Sequence, residues 1–277
     1  MIVCKALDKE FQSKELMFAE LKANKAHLIA SKKAQILKSF EKGTAIAAKS
    51  MDVSKIECTK SIEMDDNFYY LAVNTTNVLD SHQDLHVKGI WNRTVKNQQG
   101  LNYLVLDHEV KVSTTVVRKE HIEMFVAEIP FAAIGKSYKG NTEALIYKFP
   151  KDKVKNQEAK EWLESGDALE ASVRMQYVKV RLAMNSDSKD DVDEKKAYDE
   201  TIDVIANKAD FESIDYYFII EEAKNVMESS LVPFGSNGAT GQINNNSQPE
   251  KSTEIEEIKE IVADTSLNTL LTNIKIQ

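Results

Sequence analysis

The feature that most constrains this fold is a series of short apolar segments, rich in aromatic and β-branched residues, between about residues 62 and 238. Turn-forming or charged residues separate the segments, which is typical of β-strands. The predicted strands cluster rather than alternate with helices, so they favour a barrel or an α+β fold over a doubly wound parallel sheet. They are Asn67–Val73, Leu101–Leu106, Val112–Val117, Ile122–Phe131, Leu169–Leu182, Phe218–Glu222 and Ser229–Pro233.

Local spacing adds two further predictions within this core. The strands Val112–Val117 and Ile122–Phe131 flank a short charged segment, which predicts a β-hairpin with a charged turn. A helix is predicted within Asn141–Ser165, and Gly166 would end it.

Residues 1–60 predict a helical N-terminal extension. Apolar residues recur at roughly helical spacing from Lys9 to Lys42, and Gly43 would end the helical segment. One helix face is basic, which indicates a solvated surface or, alternatively, an arm that binds a partner. Its lysines are Lys22, Lys25, Lys32, Lys33 and Lys38.

Two polar segments follow the strands. Asn185–Glu200 is rich in acidic residues and predicts an exposed, mobile insertion. Gly235–Thr253 is a low-complexity linker, and a short amphipathic helix is predicted after it. The predicted organisation is therefore an N-terminal extension (1–60), a β-rich domain (61–238) and a linker with a short C-terminal helix (239–277).

Composition narrows the classes of function. The chain has 277 residues, a net charge of −8 and a pI near 5.3, so nothing in its charge predicts nucleic-acid binding. No apolar run is long enough for a signal peptide or a membrane span. Cys4 and Cys58 belong to no metal-binding spacing and predict free thiols in a reducing compartment. A soluble cytoplasmic protein without a cofactor is expected.

His82, Asp84 and His86 offer one possibility for metal chemistry. Residues spaced by two share a face of a strand, so both imidazoles and the carboxylate could converge on a zinc ion. The polar flanking residues instead favour a turn that leads into Gly89, and we predict no metal site. A metal-dependent hydrolase is kept as the weakest alternative.

His108 and Ser172 are the candidates for acid–base and nucleophilic chemistry. His108 follows the apolar run Tyr103–Leu106, where a buried strand meets solvent, which suits a general base. Ser172 lies at the start of a strand and shares a face with Arg174, so it could be a nucleophile with positive charge nearby. Each residue alone is more simply an ordinary surface or strand residue.

Taken in order, four segments resemble one known family, the prohead (head maturation) proteases of tailed bacteriophages. These enzymes are related in fold to the herpesvirus assemblin proteases. The resemblance spans about residues 62–242, and its motifs are individually loose but jointly specific. The segments are Asp80–Trp91, like "D-x-x-G-D … G-A-F"; Leu104–His108, which ends in the family histidine; Trp162–Ser172, like "L-x-x-G-x-L-x-x-S"; and Glu228–Asn237, like "E-x-S-L-V-P-x-P-A-N".

The resemblance implies a small β-barrel wrapped by helices, with Ser172 as nucleophile and His108 as its base. The third catalytic residue stays open: Glu228 is preferred, but the related viral enzymes use a histidine there, and His121 is the other histidine close in sequence to His108. Backbone N–H groups, helped by Arg174, would bind the oxyanion.

The implied activity is that of a serine endopeptidase that cleaves scaffold segments, N-terminal segments of the major capsid protein, and itself. It would act in the host cytoplasm inside the assembling prohead and self-associate, without nucleic acid or membrane. Three departures from the family are Gln83 in place of glycine, Val173-Arg174 after the serine, and the acidic insertion. They leave open a catalytically inactive scaffold or capsid-assembly protein, whose helices at 9–42 and 254–263 would mediate assembly.

Overall fold

The computed structural model describes residues 1–34, 64–165, 170–233 and 237–243. Within these residues the protein is a mixed α+β fold with more strand than helix. Cys58, Gly166 and the predicted C-terminal helix lie outside the described residues. The strands are β1 (Ile2–Cys4), β2 (Lys9–Phe11), β3 (Phe68–Thr75), β4 (Asp84–His86), β5 (Tyr103–Leu106), β6 (Thr115–Val117), β7 (Glu123–Pro130), β8 (Asn141–Pro150), β9 (Glu170–Met184), β10 (Tyr216–Val232) and β11 (Gly241–Gln242). The α-helices are α1 (Lys14–Ala34), α2 (Asn92–Asn97), α3 (Gln157–Ser165) and α4 (Val192–Thr201).

The long strand β10 organises a five-stranded sheet. It pairs antiparallel with β9 along one edge, and along the other edge it pairs in parallel with β4 and then with β5. The sequence predicts two short strands here, and this prediction is wrong because the chain stays paired with β9 through register shifts. The largest shift lies between Asn225 and Ser229, where Met227 adopts a left-handed φ of 68°.

The second sheet has four strands in the order β11-β3-β8-β7, all paired antiparallel. The predicted hairpin between Val112–Val117 and Ile122–Phe131 does not form. A 3-10 turn at Lys119–His121 separates the two strands, so that β6 pairs with β5 in the larger sheet while β7 pairs with β8. His121 is at this turn, as the sequence predicts.

Both sheets contribute side chains to one apolar core. Leu71 and Tyr147 from the smaller sheet and Leu182 and Phe218 from the larger one belong to the same buried cluster, together with the fully buried Trp91. The hydrogen-bonded strand orders of the described residues are open and do not close into a barrel. Among these residues, no helix has the length and apolar character needed to cross a bilayer.

The described part of the N-terminal segment packs into this core. Cys4, Met17, Phe18 and Leu21 are buried in the cluster that both sheets share. The boundary predicted near residue 60 lies outside the described residues. The helix prediction is confirmed over Lys14–Ala34, whereas Lys9–Phe11 forms a strand instead.

Two predictions about charged segments are partly wrong, and for the same reason. Asn185–Glu200 is exposed at most of its positions, but it is a packed part of the fold rather than a mobile insertion, because most of α4 lies within it and contacts β9. Glu194 of α4 has a side chain only 1% exposed and binds Lys22 and Lys25 of α1 at 2.5 Å each. Lys22 and Lys25 thus pair with a buried acid instead of forming a free basic face, although their own side chains are 37% exposed. A local sequence pattern cannot show partners so distant in the chain.

Candidate active site

A cleft of about 330 Å³ lies where β3 and β9 approach each other. His108 and Ser172 line one part of it, and Asp80 and His86 are also among its lining residues. The structure therefore brings the predicted base and nucleophile to a single cavity, although they are distant in sequence.

The backbone around His108 is fixed to β10. β5 ends at Leu106, and the next two residues, Asp107 and His108, both adopt left-handed conformations with φ of 51° and 57°. Such conformations cost about 1 kcal/mol or more per non-glycine residue and are concentrated at functional sites. The N–H of Asp107 donates to Leu231 O at 3.2 Å, and the N–H of His108 donates to Ser230 Oγ at 2.9 Å.

The imidazole of His108 bonds to a buried carboxylate. Its Nδ1 lies 2.9 Å from Oε1 of Glu228, whose side chain is 0% exposed while that of His108 is 33% exposed. A carboxylate accepts, so Nδ1 carries the hydrogen and Nε2 is left as the basic nitrogen. This is the arrangement of the histidine and acid in a serine-protease triad.

Two further residues hold the Glu228 carboxylate. Arg174 Nε lies 3.1 Å from Oε1, and the hydroxyl of Ser230 donates to Oε2 at 2.8 Å. Arg174 also donates through Nη2 to the backbone oxygen of His108 at 2.9 Å. The guanidinium is thus bonded to both Glu228 and the backbone of His108, which differs from the oxyanion role that the resemblance implies.

Ser172 is placed by strand register. It lies opposite Ser230 in the β9–β10 pairing, and Ser230 lies opposite Val105 in the β10–β5 pairing. Ser172 is half-buried in the cleft wall. Among the described residues, no hydrogen bond joins its hydroxyl to His108. Such bonds are often long in a free enzyme and shorten when substrate binds.

A second polar network, buried beneath the cleft, begins at His86. Its Nδ1 faces the side-chain amide of Asn74 at 3.1 Å, and its Nε2 faces the hydroxyl of Tyr177 at 3.4 Å. Tyr177 donates in turn to Asp84 at 3.0 Å, while Lys32 binds the other oxygen of Asp84 at 2.5 Å. Burial, with a smaller effect from the charge of Lys32, lowers the pKa of His86 to about 4, so the ring is neutral near pH 7.

Asp80 lies beside this network. Its Oδ1 accepts the backbone N–H groups of His82 at 2.8 Å and Asp84 at 2.9 Å. Burial raises the pKa of Asp80 to about 6, and the neighbouring charge of Asp84 adds to the effect. Burial also raises the pKa of Asp84, although Lys32 opposes that shift.

The residues of the metal alternative do not converge. His82 is exposed, His86 is buried with both ring nitrogens engaged, and Asp84 pairs with Lys32. Within the part of the chain that the structure describes, no group of three or more His, Cys, Asp or Glu side chains could hold a metal ion. The predicted turn is also partly wrong, because Asp84–His86 forms the buried strand β4.

Sequence reasoning missed Ser230 and Lys32 as parts of these networks. Ser230 could have been found from its spacing, since it lies two residues after Glu228 on one strand and therefore on the same face. Lys32 offers no such signal, because its partner Asp84 lies on a different element far along the chain.

The chain matches no protein-family model, and comparisons with curated proteins and with solved structures gave no match.

Proposed function

We propose that this chain is a serine endopeptidase of the phage prohead (head maturation) type, with Ser172 as nucleophile, His108 as general base and Glu228 as the acid that orients it. The observation that carries the proposal is the 2.9 Å contact between His108 Nδ1 and the buried Glu228, made beside the cleft that Ser172 lines. The order of the four family-like segments adds independent support.

The proposed reaction follows from these positions. Ser172 Oγ attacks the carbonyl carbon of the scissile peptide, and His108 Nε2 takes its proton. The imidazolium then gives that proton to the leaving amine as the C–N bond breaks. Water, deprotonated by the same nitrogen, attacks the acyl carbon. The bond between that carbon and Ser172 Oγ then breaks, the imidazolium returns its proton to Ser172 Oγ, and the carboxylate product leaves. Glu228 stabilises the cationic ring during both steps, while Arg174 and Ser230 keep the carboxylate in place.

The finer fold assignment belongs to the same proposal. The core of both sheets would correspond to the small barrel of that family in an opened form, with helices packed around it. The support is the single apolar cluster that both sheets share, to which α1, α2 and α3 also contribute side chains.

The proposed substrates are scaffold segments, N-terminal segments of the major capsid protein, and the protease itself. The site would work inside an assembling prohead in the host cytoplasm, and self-association would accompany activity. These parts of the proposal rest on the resemblance of the motifs.

A fluorophosphonate or peptidyl phosphonate probe tests the enzyme directly. We expect the probe to label the full-length chain at Ser172, because its adduct forms on a base-activated serine hydroxyl. Labelling should disappear in Ser172→Ala and persist in Ser213→Ala, which removes an exposed serine outside the cleft. Labelling should also fall sharply in His108→Ala. A chain that stays unlabelled at every concentration, including concentrations that promote self-association, would overturn the assignment.

Two observations favour a second candidate, a catalytically inactive scaffold or capsid-assembly protein. The Ser172 hydroxyl has no hydrogen bond to His108 among the described residues, and Gln83 occupies a position that glycine holds in the family. Co-assembly of the Ser172→Ala chain with capsid protein, together with absence of probe labelling in the parent, would select this candidate.

A further inference from the structure

Asp80 presents an unused carboxylate oxygen to the cleft. The residue is only 5% exposed and lines the same cavity as Ser172. Its Oδ1 accepts two backbone N–H groups. Within the part of the chain that the structure describes, no hydrogen bond or ion pair reaches Oδ2.

Among the described residues, no cation forms an ion pair with Asp80. The nearby cation Lys32 is bound to Asp84, and the guanidinium of Arg174 is bound to Glu228. His86 is neutral near pH 7, since its pKa is lowered to about 4 by burial. His82 is exposed on the adjoining turn, donates its backbone N–H to Asp80, and through the charge of its ring partly opposes the rise in the pKa of Asp80. Because the pKa of Asp80 is about 6, most of this carboxyl is ionised at neutral pH.

We propose that the Asp80 end of the cleft is a subsite for a basic side chain, lysine or arginine, of the peptide substrate. This inference rests on the proposed function and names a preference within its substrate class. The incoming cation gives Oδ2 a charge-assisted hydrogen bond and neutralises a carboxylate that is costly to bury alone. An acidic side chain at the same place meets the negative charge of Asp80.

The walls of the cleft suit such a side chain. Val73, Met175 and Tyr177 line it together with Asp80. Lysine and arginine carry apolar stems that pack along such surfaces while the charged end reaches a polar partner. The subsite therefore combines an apolar wall with a single carboxylate.

Binding without turnover gives the cleanest test. The full-length Ser172→Ala chain is titrated with fluorescent peptides whose termini are blocked. The peptides differ only in having lysine, norleucine or glutamate at one position. The measurement is repeated with that position placed at each point along the peptide. At one position we expect lysine to bind about tenfold more tightly than norleucine, and glutamate to bind more weakly than both. In Asp80→Asn the lysine advantage should fall close to onefold.

Asparagine keeps the oxygen that accepts both backbone N–H groups, so the fold of Asp80→Asn is expected to persist and is checked by thermal melting. Asp203→Asn is the matched control, since it removes a carboxylate whose side chain is 91% exposed. Acetylation of the peptide lysine gives a second reading that needs no variant, because it removes the charge and keeps the stem. Equal binding of the lysine, acetyl-lysine and norleucine peptides, or an unchanged lysine advantage in a folded Asp80→Asn, would overturn the subsite.

The two proposals fail in different ways. An Asp80-dependent lysine preference in a chain that no phosphonate labels would overturn the protease and keep the cation subsite. Labelling of Ser172 without any lysine preference would keep the protease and overturn the subsite.

Discussion

The imidazole of His108 and the carboxylate of Glu228 meet at 2.9 Å across β5 and β10, with the acid fully buried and the imidazole one-third exposed. The parallel pairing of these strands places Glu228 opposite Tyr103, near the start of β5, and His108 just beyond the end of that strand. The left-handed residues Asp107 and His108 directly follow β5, and the imidazole reaches the carboxylate from this turn.

Replacing Glu228 by Gln should lower activity sharply while substrate affinity changes little. The amide can still accept from His108 but cannot stabilise the imidazolium, and the comparable acid-to-amide change in a serine protease costs about 10⁴-fold in kcat. The measurement is the rate of peptide hydrolysis, or of phosphonate labelling, against Glu212→Gln, which alters an exposed acid. Near-parental rates in a folded Glu228→Gln chain would remove Glu228 from the mechanism.

Ser230→Ala should reduce both stability and labelling rate. Ser230 accepts the N–H of His108 and donates to Glu228, so the substitution leaves a donor and an acceptor without this partner, at a cost of about 1–3 kcal/mol. Ser229→Ala is the matched control, because Ser229 is equally buried but accepts from Asn225 instead. We expect both variants to melt earlier and only Ser230→Ala to label slowly. Equal labelling rates would mean that Ser230 does not position the base.

The pH dependence of stability should differ between the parent chain and Asp80→Asn. The pKa of His86 falls from 6.5 to about 4 on folding. The contribution of His86 to the free energy of unfolding is therefore fully present above pH 6.5 and is lost as the pH falls toward 4. The pKa of Asp80 rises from 3.8 to about 6, so folding binds a proton and stability instead declines as the pH rises from about 4 to 6. Asp84 shifts in the same direction as Asp80.

The effects of His86 and Asp80 on the pH dependence of stability have opposite signs, so they partly cancel in the parent chain. Thermal melts from pH 4 to 7 should therefore show a steeper loss of stability on acidification for Asp80→Asn than for the parent. Asp203→Asn should follow the parent curve. Parallel curves for parent and Asp80→Asn would mean that Asp80 has nearly the same pKa in the folded and unfolded chains.

Lys32→Met should be strongly destabilising. Lys32 and Asp84 form a 2.5 Å ion pair with side chains only 13% and 4% exposed, and removal of one partner leaves a buried carboxylate without its cation. Losses of about 3–5 kcal/mol are typical for such changes. Lys9→Met removes an exposed pair with Glu20 and should cost below ~1 kcal/mol. Urea unfolding measures both, and similar midpoints for the two variants would contradict the prediction.

Gln83→Gly should stabilise the chain. Gln83 adopts a φ of 60°, which costs a non-glycine residue about 1–2 kcal/mol, and glycine relieves that strain while adding disorder to the unfolded chain. A net gain of about 0.5–1 kcal/mol in unfolding free energy is expected. Gln83→Ala is the comparison, since alanine keeps the strain, and a gain of the same size in both variants would assign the effect to the side chain instead.

The sequence predicts the strands well where apolar residues form uninterrupted runs, as in β3, β5 and β7. It misses β8, because only a helix is predicted within Asn141–Ser165, and the helix that forms there, α3, begins at Gln157. It fails at β10, because the polar residues Asn225 and Glu228 interrupt the run while the chain remains paired with β9 through a bulge. It also fails at α4. The acidic composition there is typical of a mobile segment, but Glu194 forms ion pairs with Lys22 and Lys25 of α1, which is distant in sequence.

For the candidate site, motif order identifies three residues that the structure then places near one another. His108 and Glu228 are in contact, and Ser172 lines the same cleft. The contact of Arg174 with Glu228 is not predictable from the sequence, because it depends on the register of β9 against β10. Register is set by long-range packing, which a local pattern does not contain.

Ser230 has a consequence for the precision of this site. It lies opposite Ser172 in the pairing of β10 with β9. Its hydroxyl accepts the backbone N–H of His108 and donates to Glu228. Ser172, His108 and Glu228 are thus all positioned relative to one residue, which serves as their common reference point. Distortions elsewhere in the sheets displace the group together instead of adding up between its members.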